Sequence, residues 1–432
     1  MAAMTRSELV AVLAVELGLP RKIINSLLSE LVTFAISQTR QAGSFSIPGL
    51  GRLVQTYPKA RMGRNPQTGA AITIPAKRVV NFHVAEEVNQ AVSAARRPKP
   101  QPNYSVLRIF YATDRELKSA DPPRYGPRRN PKGEITLGSC DVSIPRDPRH
   151  QTARIERPSI WKFEFRENPD KHIVIRERAI KPAADFYSEL SQIVSNSERR
   201  QAFIFIHGFR VSFDDAVYRT AQIAYDLGFD GAPILYSWPS NGTLYEYTGD
   251  INNNDWTVEH LKVFLRDIAF HSGAEVVHLI AHSMGNRALS NALNLLATQA
   301  AAGPKPHFNQ IVLTAPDIDA EVFAQLANSI RTMGERVTLY ASTRDKALYA
   351  SMRKNGSYRR AGDLSGAAVV VEGVDTIDAS AVDTNLIGHF YYAENRSVLS
   401  DIFNLLKDGS PPQLRFGIHK ADKIPPYWYF AP

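Results

Sequence analysis

A serine lies between a predicted strand and a predicted helix, within the sequence AHSMG at residues 281–285. The apolar run VVHLI precedes this segment, and the helical pattern NRALSNALNLLATQ follows it. A tight strand-to-helix turn lifts a serine hydroxyl above a sheet, and the helix N-terminus directs its amides at developing negative charge. We therefore predict that Ser283 is the nucleophile of an acyl-transfer reaction and that the Met284 N–H is an oxyanion donor.

The residues around this turn agree with that chemistry. Ala281 stands where a glycine is usual two positions before the serine, and its side chain is small enough to fit the turn. An earlier apolar run, AFIFIHGF at residues 202–209, ends in His-Gly, so the Phe209 N–H is the expected second oxyanion donor. His207 and His282 flank the two turns, and we predict structural roles for them.

A nucleophilic serine needs an imidazole base and a carboxylate that orients it, and after such a turn these follow in the order Ser, acid, His. The β-rich run RVTLYASTRD at residues 336–345 ends at Asp345, which is the first choice for the acid. Asp317 and Asp319, one predicted strand earlier, stay as alternatives. His389, in LIGHFYY, follows all of these strands and is the predicted base.

The elements that position these residues form an alternating pattern. From about residue 105 onward, apolar strand-like runs alternate with helical patterns, which is typical of an α/β domain with a doubly wound, mostly parallel sheet. A strand is predicted at residues 232–238 and a helix at 256–270. The polar stretch between them, residues 239–255, is predicted to be a long loop.

Two helices are predicted before residue 40. Thr5 and Glu8 have the spacing of a capping box, and the helix that they begin continues to Gly18. The second helix is predicted from Pro20 to Gln38, and its apolar stripe is too broad for one small domain to cover, so we expect a partner subunit. The stripe consists of Ile23, Ile24, Leu27, Leu28, Leu31 and Phe34.

A long β-hairpin is predicted next. The alternating segments SFSIPGLGRLVQTYPK and AITIPAKRVVNFHV are joined by the Gly- and Pro-containing stretch RMGRNPQTGA, which makes the tip polar and basic.

Basic residues are concentrated in this part of the chain. Residues 1–100 hold 13 Lys and Arg and 5 Asp and Glu, so the whole net charge of +8 lies there. No acidic residue occurs between Glu30 and Glu86. Such a one-signed segment indicates either a polyanionic partner or a solvated basic face. The basic residues between these glutamates are Arg40, Arg52, Lys59, Arg61, Arg64, Lys77 and Arg78.

Residues 4–92 resemble the bacterial HU/IHF-type histone-like DNA-bending proteins, most closely in GRNPQTG, ITIPA, NF and IPGLGRL. The resemblance implies an α+β domain in which two protomers intertwine their helices. Each protomer then extends a β-arm into the minor groove of double-stranded DNA with low sequence specificity. By position, Pro66 is the wedge between base pairs. The other residues implied or expected to contact DNA are Arg52, Lys59, Arg61, Arg64, Asn65, Gln67, Lys77 and Arg78.

Residues 106–430 resemble a bacterial family of serine α/β-hydrolases. The shared segments are FYATDR, CDVSIPRD, ERPSIWKFEF, FIHGFRVSFDDA, AYDLGFDGAPILYSWPS, HLIAHSMGNR, TAPDIDAEVF and DTIDASAVDTNLIGHFYY. The resemblance implies an intact hydrolase site and does not name a substrate.

Together these observations predict a dimeric, DNA-bound serine hydrolase of the carboxylesterase or lipase type that acts on a small ester, thioester or amide. The predicted domains are a histone-like domain at residues 1–92, a Pro-rich basic linker at 93–104 and a hydrolase domain at 105–432. No metal and no organic cofactor is predicted. The alternative is a non-enzymatic nucleoid architectural protein whose hydrolase-fold domain is an interaction surface.

The location is predicted from composition. The sequence shows no signal segment and no apolar run long enough to span a membrane, and its single cysteine, Cys140, cannot form an internal disulfide. We therefore expect a cytoplasmic, nucleoid-associated protein that does not contact a membrane.

Overall fold

The chain divides into two compact units, Met1–Gln101 and Pro102–Pro432, in a computed structural model. The residues that the structure describes are 4–17, 19–64, 71–74, 76–88, 104–145, 172–241, 247–299, 304–354, 356–366, 368–382, 396–423 and 425–431. The predicted linker, residues 93–104, lies outside these ranges except for Tyr104.

The smaller unit begins with two helices, α1 (Arg6–Leu17) and α2 (Arg21–Ala42). The predicted capping box is confirmed, because the Thr5 N–H donates to Glu8 Oε2 at 2.7 Å and the Glu8 N–H donates to Thr5 Oγ1 at 3.3 Å. The predicted end of α2 at Gln38 was wrong. The helix continues to Ala42 and ends at Gly43, whose left-handed backbone, with φ of 77°, lets its N–H donate to the Thr39 carbonyl.

The strands of the smaller unit include the long hairpin that the sequence predicted, preceded by one further short strand. They are β1 (Ser44–Ile47), β2 (Gly51–Thr56), β3 (Arg61–Arg64), β4 (Ala71–Ile74) and β5 (Val79–Val84). An antiparallel sheet has the order β1-β2-β5, while β3 pairs with β4 alone. The hairpin prediction is confirmed, because β2 with β5 and β3 with β4 pair in one antiparallel register, from Gly51 opposite Val84 to Arg64 opposite Ala71. A turn closed by the Leu50 N–H and the Ile47 carbonyl separates β1 from β2 within the first predicted segment.

The larger unit contains thirteen further strands among its described residues. They are β6 (Tyr104–Thr113), β7 (Arg115–Ala120), β8 (Pro123–Arg129), β9 (Thr136–Pro145), β10 (Val174–Ile180), β11 (Gln201–Ile206), β12 (Ala232–Ser237), β13 (Val276–His282), β14 (Phe308–Thr314), β15 (Gly334–Ala341), β16 (Val374–Asp378), β17 (Ile418–Lys420) and β18 (Trp428–Phe430).

The described helices of this unit connect and cover the strands. They are α3 (Ala183–Ser195), α4 (Phe213–Asp226), α5 (Tyr247–His271), α6 (Gly285–Gln299), α7 (Ala320–Thr332), α8 (Lys346–Lys354) and α9 (Arg396–Asp408).

The main sheet has the strand order β10-β9-β6-β12-β11-β13-β14-β15-β16-β18-β17. The strands from β6 to β18 in this order run parallel, and antiparallel pairs occur at the two ends of the sheet. The predicted mostly parallel α/β sheet is therefore confirmed.

Both faces of the sheet are covered, which explains why its central strands read as continuous apolar runs. In β11, Ile204 and Ile206 belong to the core beneath α3, α5, α6 and α7, whereas Phe203 and Phe205 belong to the core beneath α4 and α9. Successive side chains of a strand point to opposite faces. Every side chain of β11 is therefore buried on one face of the sheet or the other.

The helix α5 begins nine residues before its predicted start at Trp256, so the loop prediction was wrong for residues 247–255. The first turns of α5 are polar in sequence, but several of their polar side chains are buried and bonded. Asp250 accepts from Ser240 Oγ at 2.6 Å, and Asn254 Nδ2 donates to the Met284 carbonyl at 3.1 Å. These tertiary partners stabilise the first turns of α5, although the polar residues there predicted a loop.

Candidate active site and nucleic-acid interface

The described candidate residues of the active site lie at one edge of the main sheet. Ser283 follows β13, Gly208 and Phe209 follow β11, and Asp317 and Asp345 follow β14 and β15. These strands are parallel, so their carboxyl ends meet at the same edge, which is where open α/β sheets bind ligands.

The backbone of Ser283 is in the left-handed region, with φ of 53°. This conformation is uncommon for a residue that carries a Cβ, and it persists only where the surrounding structure imposes it. The strand before Ser283 and α6 after it impose the turn here. The local geometry has the form of a nucleophile elbow.

Two glycines make room for this turn. A Cβ on Gly208 would lie 2.8 Å from the Cβ of Ser283, and a Cβ on Gly285 would lie 2.5 Å from the His207 carbonyl oxygen. Neither approach is compatible with a side chain. The Gly208 loop therefore lies directly against the serine.

The carbonyl of Ser283 is held by three N–H donors. The Asn286 N–H and the Asp317 N–H both donate to it at 3.1 Å, and Asn286 Nδ2 donates to it at 3.0 Å. In a planar trans peptide the C=O and the following N–H point in opposite directions. Fixing the Ser283 carbonyl therefore fixes the direction of the Met284 N–H.

Asn286 and Asn254 are functional candidates that the sequence analysis missed. Asn286 Nδ2 also donates to the Thr314 carbonyl at 3.0 Å, and Asn254 holds the carbonyl of Met284. A polar residue in the first turn of the helix after the elbow was a signal for Asn286. Asn254 lay in a segment predicted to be a loop, so no local signal pointed to it.

The two predicted oxyanion donors have no acceptor among the described residues. Neither the Met284 N–H nor the Phe209 N–H donates to a described protein atom. The Phe209 ring packs against the Tyr247 ring, with centroids 5.2 Å apart. Unoccupied amides beside a serine are suited to bind a developing oxyanion.

Asp345 is buried and caps α8. Its Oδ1 accepts from the N–H groups of Ala347 and Leu348, both at 3.0 Å. Asp319, one of the alternatives, caps α7 by accepting from the N–H groups of Glu321 and Val322 at 2.9 and 3.1 Å. An N-cap role does not exclude an additional role for the same carboxylate, so Asp345 stays the predicted acid.

Asp317, the other alternative, has several side-chain partners. Tyr247 Oη donates to its Oδ2 at 2.9 Å, and Ser351 Oγ donates to its Oδ1 at 2.6 Å. The buried Arg360 guanidinium lies 3.4 Å from the same Oδ1. This network ties α5, α8 and the segment after α8 to the loop that holds the Ser283 carbonyl.

The predicted base, His389, lies outside the described residues. His207 and His282, the two histidines with predicted structural roles, are both buried. The ring of His207 stacks on Trp238, with centroids 5.2 Å apart and an interplanar angle of 13°. Burial, assisted by the charge of Arg115, lowers the pKa of His207 to about 3.

The smaller unit presents basic side chains to solvent. Arg52, Lys59, Lys77 and Arg78 are exposed, and the Arg78 guanidinium lies 5.0 Å from the centre of the Tyr57 ring. Arg61 and Arg64 are the first and last residues of β3. Asn65, Pro66 and Gln67 lie outside the described residues.

The smaller unit also exposes an apolar helix surface. Ile24 is buried, but much of the predicted stripe on α2 faces solvent in the single chain. The large apolar residues of α1 and α2 that are at least 39% exposed are Leu9, Val12, Leu17, Ile23, Leu27, Leu31, Val32, Phe34 and Ile36. A surface of this size indicates an interaction site.

Among the helices that the structure describes, none is sufficiently long and apolar to cross a membrane.

Two family models match the chain. Residues 4–93 match the model described as bacterial DNA-binding protein, and residues 183–407 match the model described as alpha/beta hydrolase of unknown function (DUF900). The second match covers more than half of the chain, although it is narrower than the resemblance over residues 106–430. Both predicted family resemblances are confirmed.

Individual relatives match the smaller unit. Integration host factor subunit alpha of Methylococcus capsulatus is 30% identical over 97 residues, which are 22% of this chain and 88% of that protein. Integration host factor subunit beta of Haemophilus ducreyi is 31% identical over 90 residues, covering 21% of this chain and 97% of that protein. DNA-binding protein HRL18 of Rhizobium leguminosarum is 30% identical over 91 residues, covering 21% of this chain and 100% of that protein.

A solved structure also matches this unit. An Anabaena HU–DNA cocrystal structure is 28% identical, with 21% of this chain and 98% of that chain covered and a TM-score of 0.20. The chain belongs to the alpha/beta hydrolase family of unknown function (DUF900), and its N-terminal residues form a domain of the bacterial DNA-binding protein family.

Proposed function

We propose that the chain is a serine hydrolase of the carboxylesterase or lipase type that an HU/IHF-type domain carries on duplex DNA. The left-handed backbone of Ser283 at the carboxyl edge of the sheet is the observation that carries the enzymatic part. The cost of this conformation is about 1–3 kcal/mol, and three donors to the Ser283 carbonyl maintain it. Ala315, which follows β14, has a similar φ of 46° but no side chain that could act as a nucleophile, so the hydroxyl of Ser283 is what distinguishes this turn.

The reaction that this site supports is acyl transfer to the serine. His389 takes the proton of Ser283, and the serine oxygen attacks the carbonyl carbon of an ester, thioester or amide. The N–H groups of Met284 and Phe209 bind the resulting oxyanion, while Asp345 orients the imidazole, with Asp317 as the alternative acid. The imidazolium then protonates the leaving group, and water activated by the same base releases the acyl group.

A fluorophosphonate probe tests this proposal on the full chain. We expect wild-type protein to be labelled at Ser283, as located by peptide mass spectrometry, and Ser283→Ala to lose that label. Ser290→Ala is the matched control, because Ser290 is a buried serine two turns further along α6. An unlabelled Ser283, beside a labelled reference hydrolase, would refute the enzyme and favour the architectural alternative.

We propose that the smaller unit binds DNA by contacting the phosphates of the duplex. Its exposed cations occur in a segment without acidic residues between Glu30 and Glu86. Two copies of this surface could contact roughly 6–10 phosphates, and binding of this kind weakens about 10³- to 10⁵-fold between 50 and 200 mM salt. By its resemblance to HU/IHF proteins, Pro66 would wedge between base pairs and bend the duplex.

We further propose that the chain is a homodimer associated with the nucleoid. The exposed apolar residues of α1 and α2 are the observation that supports a second copy, because an isolated domain gains no stability from apolar surface left in water. In a dimer, each DNA-bound pair of histone-like domains would carry two hydrolase domains on residues 93–104 as tethers.

A further inference from the structure

Arg115 is a buried arginine at the carboxyl edge of the sheet, two residues after the end of β6, with 1% of its surface exposed. Its Nε donates to Ser237 Oγ at 2.8 Å, and its Nη1 donates to the Ser240 carbonyl at 3.1 Å. Its Nη2 approaches His207 Nε2 at 3.2 Å and donates to the Val211 carbonyl at 2.8 Å. The guanidinium thus joins the loop after β12 to the loop after β11.

This guanidinium is charged and has no ion-pair partner in the described part of the chain. Burial lowers the pKa of Arg115 to about 10, so the group is still protonated at neutral pH. The neighbouring Asp114 bonds instead to Tyr236, Thr257 and His260. The charges of Asp114, Asp250 and Asp214 partly offset the cost of burying this cation, but its described hydrogen-bond partners are all neutral, and such a group calls for an explanation in function.

Arg115 and Ser237 at Nε2, together with the Gly208 carbonyl at Nδ1, set the tautomer of His207. A guanidinium can only donate hydrogen bonds, so His207 Nε2 must be the acceptor, and the ring proton must be on Nδ1. Nδ1 lies 2.8 Å from the Gly208 carbonyl oxygen, to which it therefore donates. The low pKa of His207 keeps the ring in this neutral form.

The hydrogen bond from His207 acts on the peptide group that contains the second predicted oxyanion donor. The Gly208 carbonyl and the Phe209 N–H belong to the same planar trans peptide and point in opposite directions. Holding the carbonyl therefore aims the N–H. The bond from Arg115 to the Val211 carbonyl fixes the loop on the other side of Phe209.

We propose that Arg115 is a positioning residue that aims the Phe209 N–H at the oxyanion by setting the tautomer of His207. The role rests on the proposed acyl transfer at Ser283. Its counterpart is the Asn286 amide, which aims the Met284 N–H through the Ser283 carbonyl. Each oxyanion donor is thus directed by a hydrogen bond to the carbonyl of its own peptide group.

The test measures the second-order rate constant for fluorophosphonate labelling of Ser283 in the full chain, per folded molecule. Arg115→Met should slow labelling about 10- to 100-fold, which is less than the roughly 10²- to 10³-fold loss when an oxyanion donor is removed outright. Arg415→Met is the matched control, because Arg415 is also buried and contacts Asp401 on α9. The folded control should react at the wild-type rate.

Two further variants separate positioning from general stabilisation. Ser237→Ala removes the hydroxyl that accepts from Arg115 Nε and that also lies 3.3 Å from His207 Nε2, so we expect it to slow labelling several-fold even if Arg115→Met does not fold. If Arg115 acts through His207, Arg115→Met combined with His207→Ala should react no more slowly than His207→Ala alone.

Wild-type labelling rates in Ser237→Ala and in folded Arg115→Met would overturn the role of Arg115. If the double variant is labelled more slowly than His207→Ala by the full factor that Arg115→Met shows alone, Arg115 does not act through His207. A wild-type chain that is not labelled at Ser283 would instead refute the acyl transfer on which the role rests.

Discussion

The side-chain amide of Asn286 donates to the carbonyls of both Ser283 and Thr314, each at 3.0 Å. One amide group therefore connects the elbow after β13 to the end of β14. Because the Ser283 carbonyl and the Met284 N–H share a peptide group, this connection ties the direction of an oxyanion donor to the spacing of two strands.

Removing this amide should impair both catalysis and stability. In Asn286→Ala, the Ser283 carbonyl keeps two of its three donors, so we expect a loss of about 1–2 kcal/mol in the free energy of unfolding. We also expect kcat for a chromogenic ester to fall about 10-fold, which corresponds to about 1.4 kcal/mol of activation free energy. Asn291→Ala is the control on the same helix, since Asn291 bonds only to the Arg287 carbonyl among described residues. An unchanged kcat in Asn286→Ala would contradict the prediction.

The two candidate acids should respond differently to an amide. Asp345→Asn should lower kcat by about 10³- to 10⁴-fold, because a triad amide favours the wrong imidazole tautomer. Asp317→Asn should instead lower the free energy of unfolding by about 3 kcal/mol, since it leaves the buried Arg360 without its charge partner. Ester hydrolysis and urea unfolding of both variants distinguish these effects. The reverse pattern would assign the acid to Asp317.

The stability of the larger unit should fall in acid because of His278. This histidine is buried on β13, and neither ring nitrogen has a partner among the described residues. Burial, with a smaller effect of the Arg199 charge, lowers its pKa to about 3. Below about pH 6.5, His278 binds a proton in the unfolded chain but stays neutral in the folded chain. The free energy of unfolding therefore falls by about 1.4 kcal/mol per pH unit until the pKa of His278 in the folded chain is reached.

His278→Leu should therefore flatten the acid slope by this amount while the similar contribution of His207 stays. The measurement is urea unfolding at several pH values followed by tryptophan fluorescence, because all four tryptophans lie after residue 101 and report on the larger unit. His307→Gln serves as the control, with a side chain that is 56% exposed. Equal slopes in wild type and His278→Leu would show that His278 is protonated in the fold.

The β-arm that contains Arg61 and Arg64 should contribute to the salt dependence of the DNA-binding constant. Arg61→Ala together with Arg64→Ala should reduce the slope of log K against log salt by about 0.9 for each phosphate that the arm no longer neutralises. Pro66→Ala should reduce bending, measured by fluorescence resonance energy transfer between duplex ends, more than affinity. Arg200→Ala with Arg266→Ala removes two exposed arginines of the larger unit and should leave the slope unchanged. An unaltered slope after the arm substitutions would exclude the arm as the DNA-binding surface.

A charge on the apolar helix surface should prevent dimer formation. Leu27 on α2 is 57% exposed in the single chain, so Leu27→Glu should leave the fold of one copy largely intact while opposing burial against a second. Sedimentation velocity should then report a monomer. Leu414→Glu places the same charge on a 75% exposed leucine of the larger unit and should stay dimeric. A dimer that persists in Leu27→Glu would mean that another surface joins the copies.

Local patterns were sufficient wherever neighbouring residues carry the information. The capping box at Thr5 and Glu8, the alternation of strands and helices, and the turn at Ser283 all follow from periodicity and residue type over a few positions. The same reasoning failed for the start of α5, whose polar residues Asp250 and Asn254 look like a loop until their partners are known.

The order of the elements, the two family resemblances and the serine at a strand-to-helix turn could all be predicted from the sequence. The residues that support that serine became identifiable in the folded chain, because several of their hydrogen bonds join positions far apart in the sequence. The Asn286 amide reaches Thr314, 28 residues away, and Arg115 reaches Val211, 96 residues away. Parallel strands bring such residues to one edge through crossovers, and no local pattern encodes that meeting.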